Sequence, residues 1–273
     1  MNFHNADREK LVKIFEDTLN LSLNNDFLKK SVETSIKNSV IYDEKNYPEL
    51  PTKHFDSTKI SVNKYRTFET AQFYVKKFPD KKISVLNFAS ATNVGGGVTK
   101  GSKAQEESLC RCSTLYPVLN TQNNLKNFYE YHRKKNDARY TNKIIFSPEI
   151  FIFKSDTDFP QILLENKFVK VDVMTCAAPN LRLKKISDDE LFKIHLQRAK
   201  HILTVAAHHK TDFLILGAFG CGAFQNNPEV VTESYKKIVK NFDGCFQEII
   251  FAIYCPPHKN ENFIAFKKNL MEE

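Results

Sequence analysis

Only eight of the 273 residues are glycine, and no run of 18 or more apolar residues occurs. Without such a run there is no membrane-spanning helix to read from the sequence. The opening MNFHNADREKLVK also lacks the apolar stretch of a secretory signal. The six cysteines, at 110, 112, 176, 221, 245 and 255, include no CxxC pair. Their neighbours are apolar, as in VDVMTCAAP, which favours buried thiols over a disulfide framework or a zinc site. Internal repeats and low-complexity tracts are absent. The expectation is a soluble, cytoplasmic monomer that needs no metal or cofactor; nuclear access and export as an effector leave no mark of their own in a sequence.

What is present points to one large α/β unit. Hydrophobic residues make up 41%, with 23 Phe, enough to bury a sizeable core. The net charge of +8 and pI near 9.0 suit a polyanionic partner such as nucleic acid. Lysine is spread without a block of five or six, so a solvated surface explains the charge equally well. Residues 1–40 read as two helices, with Leu11, Ile14, Phe15 and Leu19, then Leu28, Val32 and Ile36, at helical spacing. Between 41 and 67 the periodicity is lost, and Pro48 and Pro51 suggest a long connector. A further helix is expected over Phe68 to Lys77.

From Lys81 onward, strands are expected at ISVLNFA (83–89), FVKVDVMTC (168–176), FLILGAF (213–219) and EIIFAIYC (248–255). Helical patterns alternate with them. KAQEESLCRCSTLY follows Ser102, which with Gln105 fits a capping box; Ser187 with Glu190 repeats the signature. Asn227 as N-cap and Pro228 at the first helical position open PEVVTESYKKIVKNF. Strands alternating with helices predict a three-layer α/β domain.

The few glycines are concentrated. Seven of the eight fall at 95, 96, 97, 101 and at 217, 220, 222, each group after an apolar strand and before a helix. Glycine lets backbone N–H groups approach a ligand closely, and a helix N-terminus just beyond adds partial positive charge. Tight turns at strand ends would use glycine too, but two such loops in one sheet fit a diphosphate clamp better. Neither loop is a Walker motif, since GxxxxGK[ST] is absent, and GAFGCGA lies too late for a dinucleotide fingerprint. Glu106 and Glu107 then fall in the first turn of the helix after the triple glycine. Dipole stabilisation explains acids there. An acid beside a diphosphate loop would also reach an attached ribose, where it can protonate a glycosidic oxygen and then activate water.

The stretch GGGVTKGSKAQEE, with seven residues between GGG and QEE, resembles the signature of poly(ADP-ribose) glycohydrolases. VLNFASATNVGGG resembles the strand and glycine loop of macrodomains, which bind ADP-ribose. IFSPEIFIFK, VDVMTCAAPN and LILGAFGCGAFQNNPEVV resemble later blocks of the bacterial-type glycohydrolases, and the helices ending in NSVIYDE their accessory region. The resemblance implies a macrodomain-like α/β/α core with a mixed central sheet over 81–273, and a helical accessory region over 1–80 packed on it as one structural unit. It implies cleavage of ribose–ribose O-glycosidic bonds in poly(ADP-ribose), mainly from chain ends, with ADP-ribose as product.

Residue by residue, the resemblance implies that Glu107 is the acid and base and that Glu106 positions the substrate ribose. Gly95, Gly96, Gly97 and Val98 would lie along the diphosphate and distal ribose. Gly220, Cys221, Gly222 and Ala223 would form the opposing phosphate loop, and Phe224 would stack on the adenine or its ribose. Asn87, Ser90, Asn93 and Gln105 complete the expected ADP-ribose contacts. Two other functions fit parts of the same motif: a mono-ADP-ribosyl hydrolase acting on protein or nucleic-acid linkages, and a non-catalytic ADP-ribose reader, against which the intact QEE speaks. Core packing explains Phe219, and a backbone role explains Cys221, which has no neighbouring histidine in sequence. Helix dipole and solvent would explain His208 and His209. The basic segment HRKKNDARY (132–140) reads as a solvated loop, with contact to polymer or acceptor as its alternative.

Overall fold

The computed structural model describes residues 3–49, 53–256 and 259–271. Pro51, assigned to the connector by sequence, lies outside them. Seven strands, β1 (Val40–Tyr42), β2 (Lys59–Asn63), β3 (Ile83–Phe88), β4 (Ile144–Ile152), β5 (Val169–Cys176), β6 (Phe213–Leu216) and β7 (Glu248–Ala252), form one mixed sheet. Their order is β1-β4-β5-β3-β6-β7-β2. β3 runs parallel to β5 and β6, whereas β4 is antiparallel to β5 and to β1.

Both faces of the sheet are covered, which is why its strands read as nearly continuous apolar runs. Alternate residues serve opposite layers. Leu86, Met174, Leu214, Leu216 and Phe251 pack under α8 (Asp188–His208), α9 (Pro228–Val239) and α10 (Glu261–Met271). Val85, Val173, Ile215 and Ile250 face α1 (Phe3–Asn24), α2 (Asp26–Asn38), α3 (Thr67–Lys77), α4 (Gln105–Cys112) and α5 (Leu115–Leu119). α6 (Gln122–Asn124) and α7 (Tyr131–Lys135), joined by a π turn over 125–130, complete the helices.

The capping signals are met unevenly. Asn227 Oδ1 accepts the Glu229 N–H at 3.1 Å ahead of Pro228, and Ser187 Oγ accepts the Glu190 N–H at 3.2 Å. The Glu190 carboxylate turns instead to Arg139. The Ser102–Gln105 box does not form. α4 begins at Gln105 behind Ala104, because the Gln105 amide is committed to β3 and the Ser102 carbonyl to Arg111.

The segment 41–67 is less of a connector than its composition implies. It supplies β2 and most of β1, which form the two edges of the sheet through β7 and β4. Residues 1–80 therefore contribute strands as well as helices, and no boundary at residue 80 divides the sheet. β4 also carries a register shift between Ser147 and Ile150, where Glu149 takes φ +57°.

α1 is fastened to the loop that follows β3. Gly101 has φ +71°, and a Cβ there would lie 2.8 Å from the Arg8 Cα. Thr18 Oγ1 donates to the Arg111 carbonyl at 2.7 Å, and Lys154 Nζ reaches Asp17 at 2.6 Å. Gly101→Ala combines a left-handed φ with a backbone collision. It should cost about 2 kcal/mol or more of stability, read as a lower urea midpoint with an unchanged m-value. A midpoint within error of wild type would show that α1 does not bear on this loop.

Candidate active site

β3 and β6 are parallel neighbours, so the loops after them leave the same edge of the sheet side by side. This is what brings the two glycine groups together. Between them lies a cavity of about 820 Å³, in the range of small-molecule sites. Glu106, Glu107, Gln105, Ser90 and Gly96 line one side, and Gly220, Gly222, Ala223 and Phe224 the other. Arg66, Asp156 and Tyr254 close a further wall.

Glu107 is 7% exposed, and its Oε1 accepts the Gly97 N–H at 2.8 Å. Its Oε2 is buried without a hydrogen-bond partner among the described residues. A Cβ at Gly96 would collide with Glu107 Oε1 and lie 3.0 Å from Glu106 Oε2. Gly96 thus leaves room for both carboxyls beside the loop.

Glu106, 3% exposed, is fully engaged. Oε2 accepts the Ser90 N–H at 2.7 Å, and Oε1 faces the Asn87 amide nitrogen at 3.3 Å. Burial pushes this carboxyl up to about 8, with the neighbouring Glu107 adding to the rise and the Ser90 and Asn87 donors opposing it. Asn87 Oδ1 has no partner among the described residues. Turning that amide over would offer Oδ1 to a protonated Glu106, a geometry suited to the neutral acid.

The other expected contacts divide into two groups. Asn87 is buried against Glu106 and Thr175, Val98 is core, and Gly95 lies beneath the Tyr116 ring; these shape the loop from behind. Asn93 is exposed and its amide donates to Thr92 Oγ1, while its N–H goes to Ser90 Oγ. Gln105 accepts the Phe88 N–H at 2.9 Å and donates to the Leu86 carbonyl at 2.7 Å, pinning α4 to β3. Cys221 is turned away from the cavity, with burial driving its thiol far up. Gly222 has open space where a Cβ would stand, and the N–H groups of Gly222, Ala223 and Phe224 make no hydrogen bond among the described residues.

Sequence reasoning missed the residues that hold this frame. Asn226 is buried; its Oδ1 meets His195 Nε2 at 2.7 Å and its amide donates to the Pro179 carbonyl at 2.7 Å, fixing the second loop. Its only signal was the doubled Asn before Pro228, where one suffices as a cap. Arg111, buried one turn beyond Glu107, donates to the Ser102 carbonyl at 2.7 Å. Its spacing of four from Glu107 is visible in the sequence, but that spacing alone fits a surface ion pair equally well. Asp156 accepts the Phe68 N–H and the Ser108 hydroxyl, joining α3 to α4, and no local pattern announced it. His209 stacks on Phe146 with centroids 3.5 Å apart and bonds the Tyr42 hydroxyl, so packing rather than solvent explains it.

The family model for the microbial-type PARG catalytic domain matches residues 13–155, from α1 through the glycine loop and both acids to the end of β4 and just beyond. The chain belongs to the microbial-type PARG family. No curated protein matches it in sequence. Its fold is similar to poly(ADP-ribose) glycohydrolase from Thermomonospora curvata bound to the inhibitor ADP-HPD, with TM-score 0.86, 27% identity, and coverage of 96% of this chain and 100% of that one. It is also similar to the Deinococcus radiodurans enzyme in complex with ADP-ribose, with TM-score 0.78, 29% identity, and coverage of 88% and 96%. The mixed seven-stranded sheet flanked by helices is the architecture this PARG chain shares with both. Among the described residues no cluster of three or more His, Cys, Asp or Glu could hold a metal, and no helix is long and apolar enough to cross a membrane.

Glu106 binds its proton more tightly folded than unfolded. Folding therefore takes up a proton between about pH 4.5 and 8, and this contribution to stability is lost as pH rises through that window. Relative to Glu106→Gln, wild type should lose stability from pH 5 to pH 8 by up to about 1.4 kcal/mol per unit, read by urea denaturation. Parallel stability curves would show that Glu106 ionises at its ordinary value.

Proposed function

We propose that this PARG chain hydrolyses the ribose–ribose O-glycosidic bond of poly(ADP-ribose) from chain ends, releasing ADP-ribose, with Glu107 as acid and then base. The observation that carries the reading is Glu107, which lines a cavity bounded by both glycine loops and whose buried Oε2 has no hydrogen-bond partner among the described residues. Three successive N–H groups at Gly222–Phe224, without a hydrogen bond among the described residues, would serve as an anion nest of the kind a diphosphate fills. Gly95–Val98 form the other jaw. With the diphosphate held there, the attached ribose falls beside Gly96 and the two acids.

The catalytic steps follow from what each carboxyl has left to give. Glu106 has both oxygens engaged and is held neutral by burial, so it can orient a ribose hydroxyl but does not shuttle a proton. Glu107 keeps one oxygen fixed by Gly97 and the other free. Protonated there, it gives its proton to the leaving ribose oxygen as the anomeric carbon gains oxocarbenium character. The resulting carboxylate then takes a proton from the water that attacks that carbon. The substrate diphosphate, fixed close by, offsets the developing positive charge. Phe224, half-buried on the second loop, offers a face to the ribose or base, and Tyr254, with the Arg66 guanidinium 3.9 Å from its ring centroid, offers another.

Glu107→Gln should lower turnover of radiolabelled poly(ADP-ribose) by about 10²–10⁴-fold, while calorimetry shows ADP-ribose binding within a few-fold of wild type. Polymer hydrolysis that survives this substitution would remove Glu107 from the chemistry. ADP-ribose binding without turnover of polymer by wild type would instead make the chain a reader.

A further inference from the structure

The segment 131–140 and the turn after β5 converge at the mouth of the cavity. Leu181 N–H donates to the Phe224 carbonyl at 3.0 Å, Asn180 N–H donates to the Ala138 carbonyl at 2.8 Å, and the Tyr140 ring lies 6.3 Å from Phe224. On the other loop, Arg133 Nη1 donates to the Thr92 carbonyl, two residues beyond the Ser90 N–H that holds Glu106. One basic segment thus touches both jaws on the side of the acids.

Its charges are unevenly compensated. Arg139 is paired with Asp137 and Glu190, Lys184 approaches Asp137 at 3.7 Å, and Asp188 and Asp189 stand at the start of α8 nearby. Lys134, Lys135, Arg182 and Lys185 are exposed and form no ion pair among the described residues. Beneath them Arg198 is fully buried with only neutral partners: Asn142 Oδ1 at 3.2 Å, the Ala177 carbonyl at 2.6 Å and the Arg139 carbonyl at 3.2 Å. A buried guanidinium without a carboxylate adds to the positive field at this rim. It also fixes the loop, in which Asn136 and Tyr140 take left-handed φ of +48° and +55°.

Resting on the function proposed above, we infer that this rim binds the rest of the polymer: Lys134, Lys135, Arg182 and Lys185 receive the diphosphate of the ADP-ribose unit on the leaving side of the scissile bond. The occupant follows from charge and position. The leaving group exits beside Glu107 and carries a diphosphate one unit away; Lys103 and Lys259 line the cavity itself, and this segment is the unpaired cationic surface that touches the outside of both jaws. The four side chains act on encounter and retention of the chain, not on the chemical step.

The test compares two substrates with the full chain. One is long poly(ADP-ribose). The other is a single ADP-ribose carrying a nitrophenyl leaving group, which has no second diphosphate. The variant Lys134→Glu/Lys135→Glu/Arg182→Glu/Lys185→Glu should lower kcat/KM on polymer about 10-fold or more at low salt and flatten its fall with ionic strength. It should leave the nitrophenyl substrate within two-fold. The four-fold Gln variant should show the same split at reduced size, which separates charge from misfolding. Unchanged polymer kinetics in both variants, or an equal fall on both substrates in the Gln variant, would overturn the inference. So would a loss confined to mono-ADP-ribosylated protein, which would assign the rim to a protein acceptor. Absence of polymer turnover by wild type would instead strike the proposed function itself.

Discussion

One hydrogen bond ties the functional parts of this molecule together: the Gly97 N–H to Glu107 Oε1 at 2.8 Å. It fixes the glycine loop to the helix that follows it and leaves the second oxygen of the same carboxyl free. The bond is possible only because Gly96 has no side chain, since a Cβ there would strike both acids. Gln105, one residue before the acids, locks the start of α4 to β3, and Arg111, one turn after Glu107, holds the Ser102 carbonyl that precedes the helix. Loop, helix and strand are thus set by side chains lying within seven residues of one another, and α1 braces the assembly from outside at Gly101.

The proposed function, a diphosphate held beside two carboxyls, carries a problem of charge. Two ionised glutamates and a nearby Asp156 would repel the ligand. Burial answers part of this by raising Glu106 to about 8, so that this carboxyl does not add its charge against the phosphates near neutral pH, and it shifts Asp156 in the same direction. Backbone N–H groups on the second loop that make no hydrogen bond among the described residues, and the helix dipole of α4, supply positive ends without mobile cations. Arg66, Lys103, Arg111 and Lys259 line the cavity as well, and under the proposed function they and the rim cations together would draw in a polyanion.

Much of the fold was legible because the sheet is covered on both faces. Its central strands, β3, β5, β6 and β7, are short apolar runs that a sequence displays directly. The edge strands β1 and β2 were not, since they lie in polar, proline-marked chain, and neither was β4 beside β1, which breaks its alternation at the register shift near Ser147. Within the site, the glycine groups and the acids announced themselves by composition and spacing. The supports did not, because Asn226, Asp156 and Arg198 act through partners 21 to 88 residues away, a separation no local pattern encodes. Ser102 misled in the opposite direction. It satisfied a capping motif, but the tertiary bonds of Gln105 outweighed it.

The central claim is that a single carboxyl, Glu107, serves the leaving oxygen and the incoming water in turn. Both then meet the anomeric carbon from the same face. The most direct test is the anomeric configuration of newly released ADP-ribose, followed by rapid NMR before mutarotation. Retention of the configuration of the scissile bond is expected. Inversion would contradict the claim, because it requires a second base on the opposite face of the ribose.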